Sequence, residues 1–403
     1  MLRELARIHN LEPALVATRS TDRAIAAFER LGIAPADVSV VSDAAGLAAA
    51  QASQRPIVCT DVRVVGDVQG IDVVFEATGD VLAGAEAATA ALDGGMHVIT
   101  MSSELDATLG VSLARRAREA GVVYSSADGD QPAVLGRLLR ELEFKGFRPR
   151  LAGNCKAHLD LHQTPEGVRP FVGTGQNPYK ICSFTDGSKQ STELASLANA
   201  FGFSVLRRGA LGPSTTKRRL IETFDELVDL ASLDGGYVDY TMGSTEPAQG
   251  GPVFVVAHRG EPEAREELKY LKEGTGPFYL FFSDHHLGHF EAASTIAEAA
   301  LFGVATLRPI GRFVEAMAVA KRDLHPGRKL DGIGGFDCYG VVETAETAAQ
   351  EGLLPIGLSD YVVMRKRVPK DEPVTYDDVE LLENLAVSLR REQDRLPLGR
   401  EVP

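Results

Sequence analysis

The segment SFTDGSKQSTELA places Asp186 and Lys189 three residues apart, in a turn that leads into a helix. A lysine beside a carboxylate is a usable proton-transfer pair. The amine gives a proton to a substrate hydroxyl, or takes one, while the carboxylate tunes its pKa. The same residues also read as a helix-capping turn with a surface lysine. Upstream, GNCKAHLDLHQTP carries Lys156, His158, Asp160 and His162 at every second position. On a strand that alternation puts all four on one face. Lys156 is a third catalytic candidate, with a charge suited to an anionic group, and His158 and Asp160 are candidate substrate contacts. A solvent-facing strand explains the pattern equally well. Asp130 and Gln131, ahead of Pro132, close an earlier strand and join the substrate set. Asp284, His285, His286 and His289 are metal-ligand types, but their spacing is not HExxH. His285 and His286 cannot share a helix face. They read as a histidine-rich turn, and the metal requirement stays open. KLDGIGGFDCYG, from Lys329 to Gly340, reads as a set of tight turns.

These residues need a scaffold, and the N-terminal third predicts one. Short apolar runs, among them Ala14–Ala17, the run after Pro56, and Ile71–Ala77, alternate with helical patterns such as Thr21–Leu31 and Leu109–Ala120. That alternation predicts βαβ units and a Rossmann-like parallel sheet. Ligands of such sheets sit beyond the carboxyl ends of the strands. There the chain offers Thr18, Arg19 and Ser20 after one strand, Thr78 and Gly79 after a second, and Ser102 and Glu104 after a third. A guanidinium flanked by hydroxyls suits a 2′-phosphate, so NADP(H) is the expected cofactor; as a bland alternative, Arg19 is a solvated loop residue.

A dinucleotide fold normally opens with a strand, a GxGxxG turn and a helix. This chain opens directly in helical periodicity at Leu2, Leu5, Ala6 and His9. The expectation is a sheet lacking its first strand and glycine loop, with an upstream segment of about 30 residues supplying both. The alternative is a dinucleotide not bound in the usual way.

The chain has 403 residues and a formal charge of −14, with 44% hydrophobic and 24% charged residues. This composition excludes wholesale disorder and gives no electrostatic footprint for nucleic acid or anionic lipid. Four dispersed cysteines without a CxxC fit a reducing cytosol. No apolar run approaches the length of a membrane span. A soluble cytoplasmic protein acting on a small molecule, with neither nucleic acid nor membrane as partner, is expected. From about Arg150 the pattern changes to longer strands, and near the end Lys321-Arg322-Asp323-Leu324 is echoed 44 residues later by Arg365-Lys366-Arg367-Val368. A closing helix is predicted from Tyr376, capped by Thr375.

With IDVVFEATG, GDQPA, SFTDGSKQSTELA, GPFYLFFSDHHLGHFEA and KLDGIGGFDCYG in view, the chain resembles the homoserine-dehydrogenase-like oxidoreductases with a C-terminal SAF module. Among these are the deoxyxylulose-phosphate reductoisomerase-like (DRL) proteins. The resemblance covers essentially the whole chain. It implies a Rossmann-like domain over 1–149, a central α+β catalytic and dimerisation domain over 150–310, and a β-clip SAF domain with the C-terminal helix over 311–403. It further implies a homodimer and NADP(H)-dependent hydride transfer on a small hydroxylated, phosphorylated or unphosphorylated, substrate. A divalent metal is needed if that substrate is deoxyxylulose phosphate. Asp186 and Lys189 fall where homoserine-dehydrogenase-like enzymes carry an acidic residue and a catalytic lysine, one residue closer together here. Homoserine dehydrogenase activity is the alternative within the class, and a non-catalytic SAF scaffold the alternative outside it.

Overall fold

The computed structural model describes residues 1–243 and 251–401. In chain order the N-terminal elements are α1 (Leu2–Leu5), β1 (Leu15–Ala17), α2 (Thr21–Glu29), β2 (Ser39–Val41), α3 (Ala44–Ala52), β3 (Ile57–Cys59), β4 (Val73–Glu76), α4 (Val81–Asp93), β5 (His97–Thr100), α5 (Ser103–Glu119) and β6 (Tyr124–Ser126). They are followed by α6 (Gln131–Phe144), β7 (Arg148–Lys156), α7 (Pro178–Thr185), α8 (Ser188–Phe201), α9 (Leu220–Val228), β8 (Tyr237–Met242), β9 (Val253–His258), α10 (Pro262–Tyr270), β10 (Phe278–Ser283) and α11 (Ala292–Phe302). The chain closes with β11 (Gly311–Arg312), β12 (Val314–Ala320), β13 (Cys338–Thr344), α12 (Ala345–Glu351), β14 (Val362–Met364), β15 (Val379–Leu381), α13 (Leu385–Asp394) and β16 (Gly399–Arg400). These elements form two compact units. One comprises 1–105, 112–129 and 287–306, the other 106–111, 130–286 and 307–403.

The first unit is a Rossmann-like α/β assembly, as its alternating pattern predicts. Its strands are all parallel but lie in two sheets, ordered β1-β3-β2 and β4-β5-β6. On one side Phe28, Val38 and Val58 make a small core, against which Leu2 and Val16 pack. On the other, Ile99, Ala292 and Ile296 are joined by Met1, Leu5 and Leu11. Helix α1 thus contributes to the cores of both sheets. Helix α5 starts at Ser103, earlier than the predicted Leu109, with Ser102 in the N-cap position but making no side-chain cap bond. The polar residues Ser103, Glu104 and Asp106 that interrupt the sequence pattern are all buried in this turn.

The second unit is built on a mixed sheet ordered β10-β9-β7-β8. Strands β7 and β8 are parallel, whereas β9 runs antiparallel to both β7 and β10. Alternation along β7 decides where the chemistry lies. Leu151 and Cys155 join the core formed with Leu220 and Phe224 of α9. Ala152 faces the larger core with Leu135 and Leu139 of α6 and Leu194 and Leu197 of α8. Asn154 and Lys156 share the Ala152 face by the period of two. Gly153 is obligatory, since a Cβ there would overlap the Asp239 carbonyl of β8.

The C-terminal strands belong to this second unit. β12 pairs with β13, β14 with β15, and β11 with β16, all antiparallel. The two basic half-repeats face each other: Leu324 and Val368 exchange backbone hydrogen bonds of 2.8 and 3.1 Å, and Arg367 pairs with Asp323 at 2.6 Å. The helix predicted from Tyr376 is a correction. Thr375 and Asp378 form a capping box, yet it closes only a single 3-10 turn, and the helix starts at Leu385 under an Asn384 cap. Val379, Glu380 and Leu381 instead pair with β14, a tertiary partner that outweighs the local helical signal.

Candidate active site

In the second unit, four sequence candidates come together around a residue that the sequence reading did not select. Glu193 lies one helical turn after Lys189 on α8, so both project from the same face. Lys189 Nζ stands 3.5 Å from Asp130 Oδ2 and 3.8 Å from Glu193 Oε1. Lys156 Nζ, at the end of β7, lies 3.6 Å from Glu193 Oε2. Asn154, two residues earlier on the same strand face, donates from Nδ2 to Glu193 Oε2 at 3.0 Å and to Gln131 Oε1 at 2.6 Å. Asp130 and Gln131 come from the N-terminus of α6. The result is a carboxylate held between two ammonium groups, with a second carboxylate on the outer side of Lys189. Asp130, Gln131, Asn154, Lys189 and Glu193 are all buried.

The electrostatics follow from burial. Desolvation pushes the Glu193 carboxyl above its ordinary value, Lys156 and Lys189 pull it back, and Asp130 raises it further. A buried carboxyl displaced in this way beside two lysines makes the cluster a candidate for proton transfer. The Asn154 amide is directed by its two acceptors, which leaves Oδ1 buried with no hydrogen-bond partner among the described residues. A buried orphan acceptor calls for a donor, and a substrate hydroxyl is one. His286 closes one side, its Nδ1 2.9 Å from the Gly251 carbonyl.

Three other candidates stand apart from this cluster. Asp186 does not share a proton-transfer pair with Lys189. Its Oδ2 accepts from Lys321 Nζ at 2.7 Å and its Oδ1 from the Ser188 N–H at 2.8 Å. Burial raises the Asp186 carboxyl, and Lys321 opposes the shift. His158 and Asp160 do not extend a strand face, because β7 ends at Lys156 and both side chains are exposed in the loop beyond it. There the Asp160 N–H bonds the Thr185 carbonyl and its carboxylate accepts from the His162 N–H. Asp284, His285, His286 and His289 form no metal-ligating group among the described residues.

The remaining candidates lie in the first unit, at the carboxyl ends of its strands. Thr18 Oγ1 accepts from the Ser20 N–H at 3.2 Å, leaving Arg19 exposed between them. After β4, the Thr78 N–H and hydroxyl both donate to Glu76 Oε1 at 2.7 Å, and Thr100 holds the other Glu76 oxygen at 2.6 Å. Ser102 Oγ reaches Glu104 at 3.3 Å. Gly79 has φ +67, and a Cβ there would meet no atom within 4 Å.

Residues 129–292 match the family described as the catalytic domain of oxidoreductase DRL. No curated protein matches the chain. Solved structures that the chain is similar to include 1-deoxy-D-xylulose 5-phosphate reductoisomerase from Zymomonas mobilis in complex with NADPH, 13% identical, covering 74% of this chain and 76% of that one, with a TM-score of 0.37. A 3-ketoreductase from Actinomadura kijaniata in complex with NADP is 14% identical over 75% of this chain and 86% of its own, with a TM-score of 0.36. The amine dehydrogenase of Mycobacterium smegmatis is 13% identical over 72% and 91%, also with a TM-score of 0.36. Overlaps of this size carry no argument about chemistry. The domain match does, because it spans Asp130, Asn154, Lys156, Lys189 and Glu193. The chain is an enzyme, an oxidoreductase. No helix among the described residues is long and apolar enough to cross a membrane.

Proposed function

We propose that the protein is an NADP(H)-dependent, DRL-like oxidoreductase interconverting a hydroxyl and a carbonyl on a small anionic substrate, with Lys189 as the proton-transfer residue. The observation that carries this reading is the Lys156–Glu193–Lys189–Asp130 array, buried except at the half-buried Lys156, inside the segment that matches an oxidoreductase catalytic domain. A bound nicotinamide supplies or accepts the hydride. Lys189 gives a proton to the carbonyl oxygen during reduction and takes it from the hydroxyl during oxidation. Glu193 and Asp130 stabilise the ammonium form, and Glu193, with its raised affinity for protons, exchanges them with the amine. Lys156 holds the negative end of the substrate. Asn154 Oδ1 accepts from a second substrate hydroxyl, which favours a polyhydroxylated skeleton.

The first unit has residues that fit the adenosine end of a phosphorylated dinucleotide. Arg19 is exposed, and α2 begins at Thr21 with no side-chain cap from Ser20, so its N-terminus suits an anion. Helix α4 is already capped by the Asp80 carboxylate on the Ala83 N–H and suits a phosphate poorly. The open space at Gly79 allows close approach of a ligand. Residues 311–403 are further proposed to be an SAF-type module, on the mutual pairing of their two half-repeats. The test is NADPH oxidation against phosphorylated ketoses, hydroxy acids and aspartate semialdehyde, run beside Lys189→Ala. Consumption by the wild type that is lost in the variant supports the reading. Equal rates in the two proteins refute it.

A further inference from the structure

Asp186 lies two residues before the buried Ser188 that opens α8, and its engagement with Lys321 is fully built. Lys321 follows β12 in the C-terminal strands. Its ammonium donates to Asp186 Oδ2 at 2.7 Å, to the Gln163 carbonyl at 2.7 Å and to the Gly335 carbonyl at 2.6 Å. Three oxygens satisfy the three N–H donors of a lysine. The other Asp186 oxygen accepts from the Ser188 N–H, across a Gly187 whose φ of +85 makes the turn. A second strap follows immediately: the Gly340 N–H of β13 donates to Ser188 Oγ at 3.0 Å, and Ser191 Oγ donates to the Gly340 carbonyl at 2.9 Å. At the far end of α8, Asn199 accepts from the Phe313 and Val314 N–H groups and donates to the Val314 carbonyl. The helix carrying Lys189 and Glu193 is therefore held in register at both ends by the C-terminal strands.

We propose that Lys321, acting through Asp186, is a positioning residue that fixes the first turn of α8 and thereby sets Lys189 against its substrate. This assigns the C-terminal strands a part in catalysis without contact with the reacting atoms. It also replaces Asp186's expected role as a proton-transfer partner with a structural one exerted through the backbone. A displacement of about 1 Å in a catalytic group is enough for a loss of up to about 100-fold.

The proposal rests on Lys189 being the proton-transfer residue, which Lys189→Ala tests separately. The experiment compares wild type with Asp186→Asn, Lys321→Met and the neutral double variant, Asp186→Asn with Lys321→Met. Melting temperature, kcat and KM are measured for each. The acylation rate of the Lys189 amine, read by mass spectrometry, reports its placement whether or not a substrate is known. Each single variant strands a buried polar or charged partner and is expected to melt lower. The double variant is expected to regain stability. Its kcat is expected to stay about 30- to 100-fold down, with cofactor KM unchanged and Lys189 acylation altered. Recovery of kcat and acylation together with stability would overturn the proposal, since a merely structural pair behaves that way. Ser188→Ala keeps the Lys321–Asp186 ion pair, removes the hydroxyl that bonds both the Gly340 N–H and Asp186, and does not depend on the buried variants folding. It is expected to lose about three- to tenfold in kcat, the scale of a hydrogen bond. Wild-type kcat and Lys189 acylation in both Ser188→Ala and the double variant would overturn the proposal.

Discussion

Replacing Glu193 with Gln removes one charge and leaves almost everything else in place. The amide oxygen can still accept from Asn154 Nδ2, now 3.0 Å from the carboxylate, and the volume is unchanged. What disappears is the attraction to Lys156 and Lys189, whose nitrogens stand 3.6 and 3.8 Å from the carboxylate. At an effective dielectric of about 20, unit charges at such separations attract by about 4 kcal/mol per pair before desolvation. Burial of the three groups opposes that gain. If it cancels about half, some 2 kcal/mol of ammonium stabilisation at Lys189 is lost, or about 30-fold in turnover. The pH dependence gives a second signature. Burial raises the Glu193 carboxyl above 4.5, so a rate that needs the carboxylate falls on acidification before an ordinary glutamate would titrate. Glu193→Gln is expected to lack that acid limb. A raised folded-state pKa means that Glu193 favours folding when protonated and ceases to as pH rises through the raised value, so losing its ionised form does not by itself lower stability near neutral pH. The assay is NADPH-linked turnover across pH, with melting temperature as control. Wild-type kcat with an unchanged acid limb in Glu193→Gln would refute the reasoning.

Lys189→Ala is expected to lower turnover by about 100-fold or more while leaving NADPH affinity unchanged, measured by steady-state kinetics and cofactor titration. Arg19→Asp is expected to weaken NADPH binding and relatively favour NADH, read from the ratio of the two dissociation constants. Arg390 is buried against Glu315, with contacts of 2.8 and 2.9 Å, so Arg390→Met leaves that buried carboxylate with only the longer 3.4 Å contact to Arg312; an unfolding cost of about 3 kcal/mol is expected by chemical denaturation. Gly153→Ala forces β7 away from the Asp239 carbonyl and is expected to cost about 1–3 kcal/mol by the same measurement.

The α/β class of the first unit was legible because short apolar runs alternate with helical periods. The division of its parallel strands into two sheets was not legible, because apolar alternation marks strands without saying which of them pair. Lys156, Lys189, Asp130 and Gln131, which the structure brings together, were singled out from residue type and from their places at element ends. Glu193 was missed although it stands four residues after Lys189, a spacing that signals a shared helix face. Asn154 was missed because a strand residue flanked by Gly153 and Cys155 looks like core until its unpaired oxygen is seen. Asp186 was misplaced for a physical reason: sequence proximity to Lys189 says nothing of Lys321, whose ammonium arrives from 135 residues away. His158 and Asp160 were assigned to a strand that ends at Lys156, since alternation alone does not mark where a ladder loses its partner. The C-terminal helix was drawn too early because the Thr375 capping box is genuine but serves one turn.

The most direct measurement follows the hydride itself. The enzyme is incubated with NADPH deuterated at the transferring position and with the substrate found by screening, and the product is examined by mass spectrometry. Deuterium is expected on the carbon that bears the new hydroxyl, and is expected to disappear in Lys189→Ala while the cofactor still binds. Cofactor oxidation that leaves no deuterium in the product, or turnover undiminished in Lys189→Ala, would contradict this mechanism.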